Sequence, residues 1–308
     1  MPSRRVLVLA GAALAVAAAL LPALCEPPPP DDGGTRVGDR EVPPSDDAAA
    51  KRLKELMPVW AATARRYDNY ALRFLCTETH RNIDYSRSEG EAKGEKETPY
   101  GYLLELDPKT VHYDVVRQTL DKDGQPTGEK KIDLRCPEPY LWSFLFLPSL
   151  SSGMRFHYLG REVQNYRLTH VISFEGAGAR EAGRDIREWT GTAWLEENTG
   201  NLVRIEARPC FQKDRMLAVW QEFRQSFGII GVKTKARPHG YILAQVFDYE
   251  RDGLLFPTRL DLAEFVWVGL NEEALESRLV LTYNDYRFFK SEAQETIPLI
   301  PPSPPGQP

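Results

Sequence analysis

The stretch from Arg187 to Arg208, REWTGTAWLEENTGNLVRIEAR, limits what this chain can fold into more than any other. Trp189 to Leu195 and Leu202 to Ala207 alternate with period two and are rich in aromatic and β-branched residues, while Glu196 to Asn201 supplies the Asn, Thr and Gly of a hairpin loop. The stretch therefore reads as a β-hairpin inside a long antiparallel sheet, with Gly200 free to take a positive φ. Trp189, Gly191, Ala193 and Leu195 share one face of the first arm, and Thr190, Thr192 and Trp194 share the other. In the second arm Val203 and Ile205 oppose Arg204 and Glu206, so one face is dry and one wet. A slip of one residue would bury Arg204 and Glu206, which fixes the register.

Similar patterns flank the hairpin. Strands are expected at Tyr70 to Ile83, Tyr100 to Leu106, Val111 to Leu120, Lys131 to Arg135, Met154 to Glu162 and Tyr166 to Phe174 before it. After it they are expected at Arg215 to Arg224, Tyr241 to Glu250, Leu255 to Val268 and Leu275 to Phe289, with Pro257 marking an edge or bulge. Ser86 to Thr98, SRSEGEAKGEKET, reads as a solvated loop, and Asp121 to Gly128 as a turn-rich one. Short connections between consecutive strands imply antiparallel pairing, for a total of about eleven strands.

Two segments break the strand pattern. After Ser45-Asp46-Asp47, a good helix start, Leu53, Leu56, Met57, Trp60, Ala64 and Tyr67 form an apolar helical stripe, and Pro58 predicts a kink there or two short helices. Tyr140 to Leu147, YLWSFLFL, is apolar except for Ser143 and is bounded by Pro139 and Pro148. It is too short to span a bilayer, so it is either a buried helix on the core or a lid over an apolar cavity.

The ends carry different information. Met1 to Arg5 holds two arginines, Val6 to Leu24 is uncharged and Ala-rich, and Ala23-Leu24-Cys25 resembles a cleavage site, so residues 1–25 read as a secretory signal peptide, with a membrane anchor as the alternative. Lipidation at Cys25 is disfavoured by Leu24, which stands where a small residue is normally required. Removing 25 residues leaves 283 and, through loss of Arg4 and Arg5, shifts the formal charge from −5 to −7, which argues against a nucleic-acid partner. Residues 26–47 form a Pro-rich linker and 298–308 a Pro-rich tail, leaving 48–297 as one large β domain that is expected to be exported, periplasmic and monomeric. Export permits a disulfide, but Cys76, Cys136 and Cys210 allow three pairings and leave one thiol over.

Chemistry is sparse. His80, His112, His157, His170 and His239 are scattered with no metal-ligand spacing, no nucleophile elbow or phosphate loop occurs, and neither a catalytic residue nor a cofactor is expected. Cys76 and His80 share a strand face but lie about 13 Å apart, beyond hydrogen-bond reach. Glu78, on that same face, is the one carboxylate expected to point inward, towards a buried partner such as an arginine.

Trp194-Leu195-Glu196-Glu197-Asn198-Thr199-Gly200 and Leu202 to Glu206 together resemble the Trp-x-acidic-x-x-Thr-Gly-x-x-x-Arg-x-Glu hairpin of the outer-membrane lipoprotein carrier superfamily, the LolA/LolB-like proteins and RseB-type sensors. Gly253 to Arg259 and Tyr283 to Phe289 resemble later strands of that family. The resemblance implies a mainly β fold with few helices, a large unclosed antiparallel barrel of about eleven strands with helices on its concave face and an apolar pocket for acyl chains. It points to an envelope protein that binds lipid or an acylated lipoprotein. The alternative is an interaction or sensor module, its half-barrel filled, that binds another envelope protein. Trp60, Trp142, Phe144, Phe146, Trp220, Phe265 and Trp267 are the candidate pocket residues, each with an ordinary core role as its alternative.

Overall fold

A computed structural model of the chain describes residues 47–70, 74–86, 90–107, 112–130, 132, 134–176, 185–210, 239–267 and 273–288, all within the compact unit Val37–Pro308. The residues expected to form a signal peptide, a linker up to residue 46, a strand at 215–224 with Trp220, and a tail all lie outside the described residues.

The described residues hold eleven strands: β1 (Phe74–Tyr85), β2 (Ala92–Asp107), β3 (His112–Leu120), β4 (Pro126–Glu129), β5 (Arg155–Gln164), β6 (Arg167–Glu175), β7 (Trp189–Glu196), β8 (Leu202–Pro209), β9 (His239–Arg251), β10 (Leu254–Trp267) and β11 (Glu273–Phe288). They form one antiparallel sheet in the order β4-β3-β2-β1-β11-β10-β9-β8-β7-β6-β5. Among the described residues no ladder joins β4 to β5, so the sheet is an unclosed half-barrel. Helical structure is sparse: α1 (Asp47–Tyr70) precedes β1, and a 3₁₀ turn (Pro139–Phe144) and α2 (Pro148–Ser151) lie between β4 and β5.

The central hairpin matches its sequence pattern. Trp189, Ala193, Leu195, Val203, Ile205 and Ala207 are buried on the dry side, and Gly200 has φ +70°. Trp194, on the other face, is buried as well: the Arg204 guanidinium lies 5.7 Å from its ring centre and its Nε1 donates to Glu162. Long side chains from neighbouring strands thus shield an aromatic ring on the wet face. Gly191 permits the closest approach in the pair, because a Cβ there would sit 2.0 Å from the Glu206 carbonyl oxygen.

Three expectations need correction. Ser86 to Thr98 is not wholly a loop, because β2 begins at Ala92 and pairs with β1 through Ile83↔Glu95 and Arg81↔Glu97. Glu91, Lys93, Glu95, Lys96 and Glu97 are exposed, as composition required, but from Ala92 the backbone continues the ladder and Arg81 grips Glu95 through two hydrogen bonds. Second, the fourth strand is Pro126–Glu129, which overlaps the predicted turn, while the described residues of the predicted Lys131 to Arg135 strand, Ile132, Leu134 and Arg135, are not in a strand. At the sheet edge Pro126 has no missing ladder partner to disappoint. Third, α1 runs through Pro58 as one helix and not as two short ones. Leu56 on one side of the proline and Trp60, Ala64 and Tyr67 on the other are all buried, and that shared apolar face offsets the lost backbone bond.

Candidate binding face

Alternation aims Phe74, Cys76, Glu78 and His80 of β1, Tyr100, Tyr102 and Leu104 of β2, and Leu243, Gln245 and Phe247 of β9 to the concave side, where all are buried. Over this face lie α1 and the 3₁₀ turn. Tyr140 to Leu147 is therefore a buried piece of the core cover, with Tyr140, Trp142, Phe144, Leu145 and Phe146 each no more than 4% exposed.

Four of the predicted pocket residues meet here. Trp60 of α1 packs 5.3 Å from Phe146 and 6.2 Å from His170, and Phe146 lies 5.5 Å from Phe156 of β5. Trp142 contacts Trp189 at 6.0 Å and Phe174 at 5.9 Å. Phe144 lies edge-on to Tyr140 at 5.4 Å, and Tyr140 reaches Phe74 and Phe256. Phe265 is placed elsewhere: it is half-buried and alternates with the buried Leu262 and Val266, which puts it on the opposite side of β10. Trp267 closes β10 with its side chain outside the described residues, as is all of Trp220.

The cover is attached by a small number of polar contacts. Thr63 Oγ1 donates to the Thr199 carbonyl at 2.8 Å, and the Tyr67 hydroxyl accepts from Leu255 N at 2.8 Å while donating to the Leu255 carbonyl. Gln245 Nε2, at the centre of the sheet, donates to the Pro139 carbonyl at 2.6 Å. The Tyr140 hydroxyl donates to the Tyr67 carbonyl at 3.2 Å and so ties the 3₁₀ turn to α1.

The fifth attachment is ionic. Arg117 of β3 donates to Glu78 from Nε at 2.5 Å and from Nη2 at 3.1 Å, and the same guanidinium donates to Glu138, just before the 3₁₀ turn, at 2.7 and 3.1 Å. One arginine therefore joins a carboxylate on the sheet to another on the cover. His80 Nε2 lies 2.9 Å from Glu78, and the Tyr283 hydroxyl donates to it at 2.7 Å. Burial would push the Glu78 carboxyl up, but hydrogen bonds from His80 and Arg117 and the Arg117 charge outweigh it and hold it down to about 2. The same two carboxylates hold Arg117 charged against its own burial. Glu78 thus points inward onto an arginine, as its strand parity suggested.

The His80 ring turns to Glu78 and not to Cys76. Burial pushes both the Cys76 and Cys136 thiols up, and both are free. Cys210 is partly exposed.

Several buried polar atoms have no hydrogen-bond partner. Trp142 Nε1 and Ser143 Oγ belong to the cover, Gln245 Oε1 faces it from β9, and the Tyr102 hydroxyl lies beside Arg117. Unpartnered groups in a packed interior are rare enough to require a reason.

One grouping had no sequence signal. His239 Nδ1 lies 3.1 Å from both Glu264 and Glu276, and the three ligand atoms fall within 4.8 Å of one another. Glu264 also takes hydrogen bonds from Arg135 at 2.5 Å, Tyr241 at 3.1 Å and Ser277 at 2.9 Å. With a guanidinium already on Glu264, the arrangement is an ion-pair cluster at the end of β9 and β10.

No family model and no curated protein matches this chain. Among solved structures it is similar to a LolA superfamily protein from Nitrosomonas europaea, at 10% identity over 80% of this chain and 96% of that one, with a TM-score of 0.34. It is also similar to a DUF1329 family protein from Desulfovibrio piger, at 9% identity over 77% and 92% of the two chains and a TM-score of 0.38. MucB in the Pseudomonas aeruginosa MucA/MucB complex matches at 8% identity over 77% of this chain and all of that one, with a TM-score of 0.23.

Proposed function

We propose that this chain is an exported protein of the cell envelope that binds lipid, or the acyl chains of a lipidated protein, on the concave face beneath the 3₁₀ turn. The observation that carries this is the cover itself: a segment outside the ladder closes an apolar face, and Trp142 Nε1, Ser143 Oγ and Gln245 Oε1 are left without partners along the seam. Each orphaned group costs about 1 to 3 kcal/mol; the ester oxygens of a lipid would accept from Trp142 Nε1 and Ser143 Oγ, and a head-group hydroxyl or ammonium would donate to Gln245 Oε1. Burying about 15 methylenes contributes about 12 kcal/mol before ordering costs are subtracted, enough for micromolar binding after them. Export rests on the signal-like residues 1–25, and among the described residues no helix is long and apolar enough to cross a membrane.

A second reading is supported by the ring contacts of Trp60, Phe146 and Phe156 and of Trp142, Trp189 and Phe174, which fill space that a ligand would need. On that reading the half-barrel is a solid interaction or sensor module with no lipid ligand. Mass spectrometry of solvent extracts from the protein, purified without detergent from the envelope fraction, separates the two. A stoichiometric acyl lipid is expected; protein that repeatedly carries none, and takes up no fluorescent fatty acid, rules the lipid role out.

A further inference from the structure

Among the described residues four large apolar side chains are exposed, Val59, Val163, Tyr166 and Leu168, and all four lie at one end of the sheet. Val163 and Leu168 are cross-strand partners in the β5–β6 hairpin, and Tyr166 sits in its turn. The Leu168 carbonyl accepts from Glu197 N in the β7–β8 loop, and in that loop a Cβ on Gly200 would come 3.4 Å from Val59 Cγ1 of α1. Scattered apolar residues on a surface need no explanation, but their confinement to one spot marks an interface. An open concavity of about 470 Å³ lies at the same place, lined by Asn165, Tyr166, Arg167, Leu168, Glu196 and Asn198.

The turn supplies an independent sign. Asn165 and Tyr166 have φ of +50° and +61°. Two positive-φ residues suit a two-residue hairpin, and Asn tolerates that region, but a bulky side chain there is strained. Tyr166 is fully exposed, so no intramolecular packing accounts for keeping it. Beside the turn, ten-residue β5 is the edge strand of the sheet among the described residues, with one side of its backbone outside their ladder.

The charges indicate what fits. Arg161 is paired with Glu197 at 2.8 Å, and Arg167 with Glu196 at 2.7 Å and Glu250 at 3.4 Å. Both guanidinia are already neutralised, so neither is free to attract anionic lipid. At this end of the sheet the four carboxylates of Glu162, Glu196, Glu197 and Glu250 stand against the two guanidinia of Arg161 and Arg167. We propose that this end of the sheet docks an extended segment of a protein partner that presents a bulky apolar side chain flanked by lysine or arginine, the apolar group entering the concavity beside Tyr166 and the backbone lying along β5. The surface is separate from the concave face and does not depend on whether lipid lies there.

The test uses the full mature chain, a phage-displayed library of random twelve-residue peptides, and the variants Tyr166→Gly and Leu168→Ser. Tyr166→Gly removes the side chain and relieves the positive-φ strain, so it should melt no lower than the parent. Expected results are enrichment of apolar-plus-basic sequences on the parent, and binding of a selected peptide, followed by fluorescence anisotropy, that is at least about tenfold weaker to both variants. Equal enrichment on the parent and Tyr166→Gly, or a consensus without the basic flank, would overturn the proposal. So would Tyr166-dependent binding to phosphatidylglycerol–phosphatidylethanolamine vesicles, or Tyr166-dependent self-association with no peptide selected.

Discussion

Glu78 and Arg117 show how much rests on single side chains. The carboxylate is fully buried, and the guanidinium that balances it is nearly so. Removing one partner of such a pair leaves the other charged in an apolar interior, which costs about 3 to 5 kcal/mol, whereas removing both is close to neutral. Arg117→Met should therefore destabilise strongly in urea titration, and Arg117→Met combined with Glu78→Gln should recover most of the loss. If the double variant were no more stable than Arg117→Met alone, the pair would not be the unit described. Strand parity revealed that Glu78 faces inward, but Arg117, 39 positions later, depends on the register of two successive ladders. The same holds for His239, Glu264 and Glu276, which meet only because Val266 stands opposite His239 and Glu264 opposite Ser277.

Among the elements, the β7–β8 hairpin is the most legible in sequence and the least tolerant of change. A methyl on Gly191 would meet backbone, the Glu206 carbonyl at 2.0 Å and Ala207 Cα at 2.8 Å, so the strands would have to separate. A methyl on Gly200 would meet the Trp60 and Thr63 side chains at 3.1 and 3.2 Å, in a φ of +70°. Gly191→Ala is expected to cost about 3 kcal/mol or more, and Gly200→Ala about 1 to 2 kcal/mol. Thermal unfolding of both variants checks the order, and a milder effect at Gly191 would contradict the close approach. The elements that sequence misplaced share a cause. The first half of β2 is charged on both faces and so carries no alternation to read, and β4 holds a proline that only an edge position tolerates. Pro58 in α1 is the converse, a local signal for a helix end overruled by burial on either side of it.

At the scale of the whole molecule, antiparallel pairing and the number of strands followed from turn spacing, because most neighbours in the sheet are neighbours in the chain. The pairing of β1 with β11 joins opposite ends of the domain, and no local pattern announces it. Global stability should carry the signature of the carboxylates this pairing helps to bury. Glu78 sits at about 2 in the folded chain against an ordinary 4.5. A depressed acid contributes stability that is complete above the unfolded value and lost as pH falls through the folded one, so the loss falls between about 4.5 and 2 and amounts to about 3 kcal/mol. Urea unfolding at a series of pH values should show this decline, and Glu78→Gln should flatten it; an unchanged slope would deny Glu78 that role.

Strands β4 and β5, consecutive in the chain, occupy opposite edges of the sheet, so residues 130–154 must cross its entire width. Ten interstrand gaps of about 4.8 Å make about 48 Å, whereas a chain of about 25 residues reaches about 80 Å. The crossing therefore has slack to spare. No taut chain pins it over the greasy side of the half-barrel: what keeps it there is its own side chains, the Glu138 carboxylate on Arg117, the Tyr140 hydroxyl on Tyr67, and the buried rings of Trp142 and Phe144.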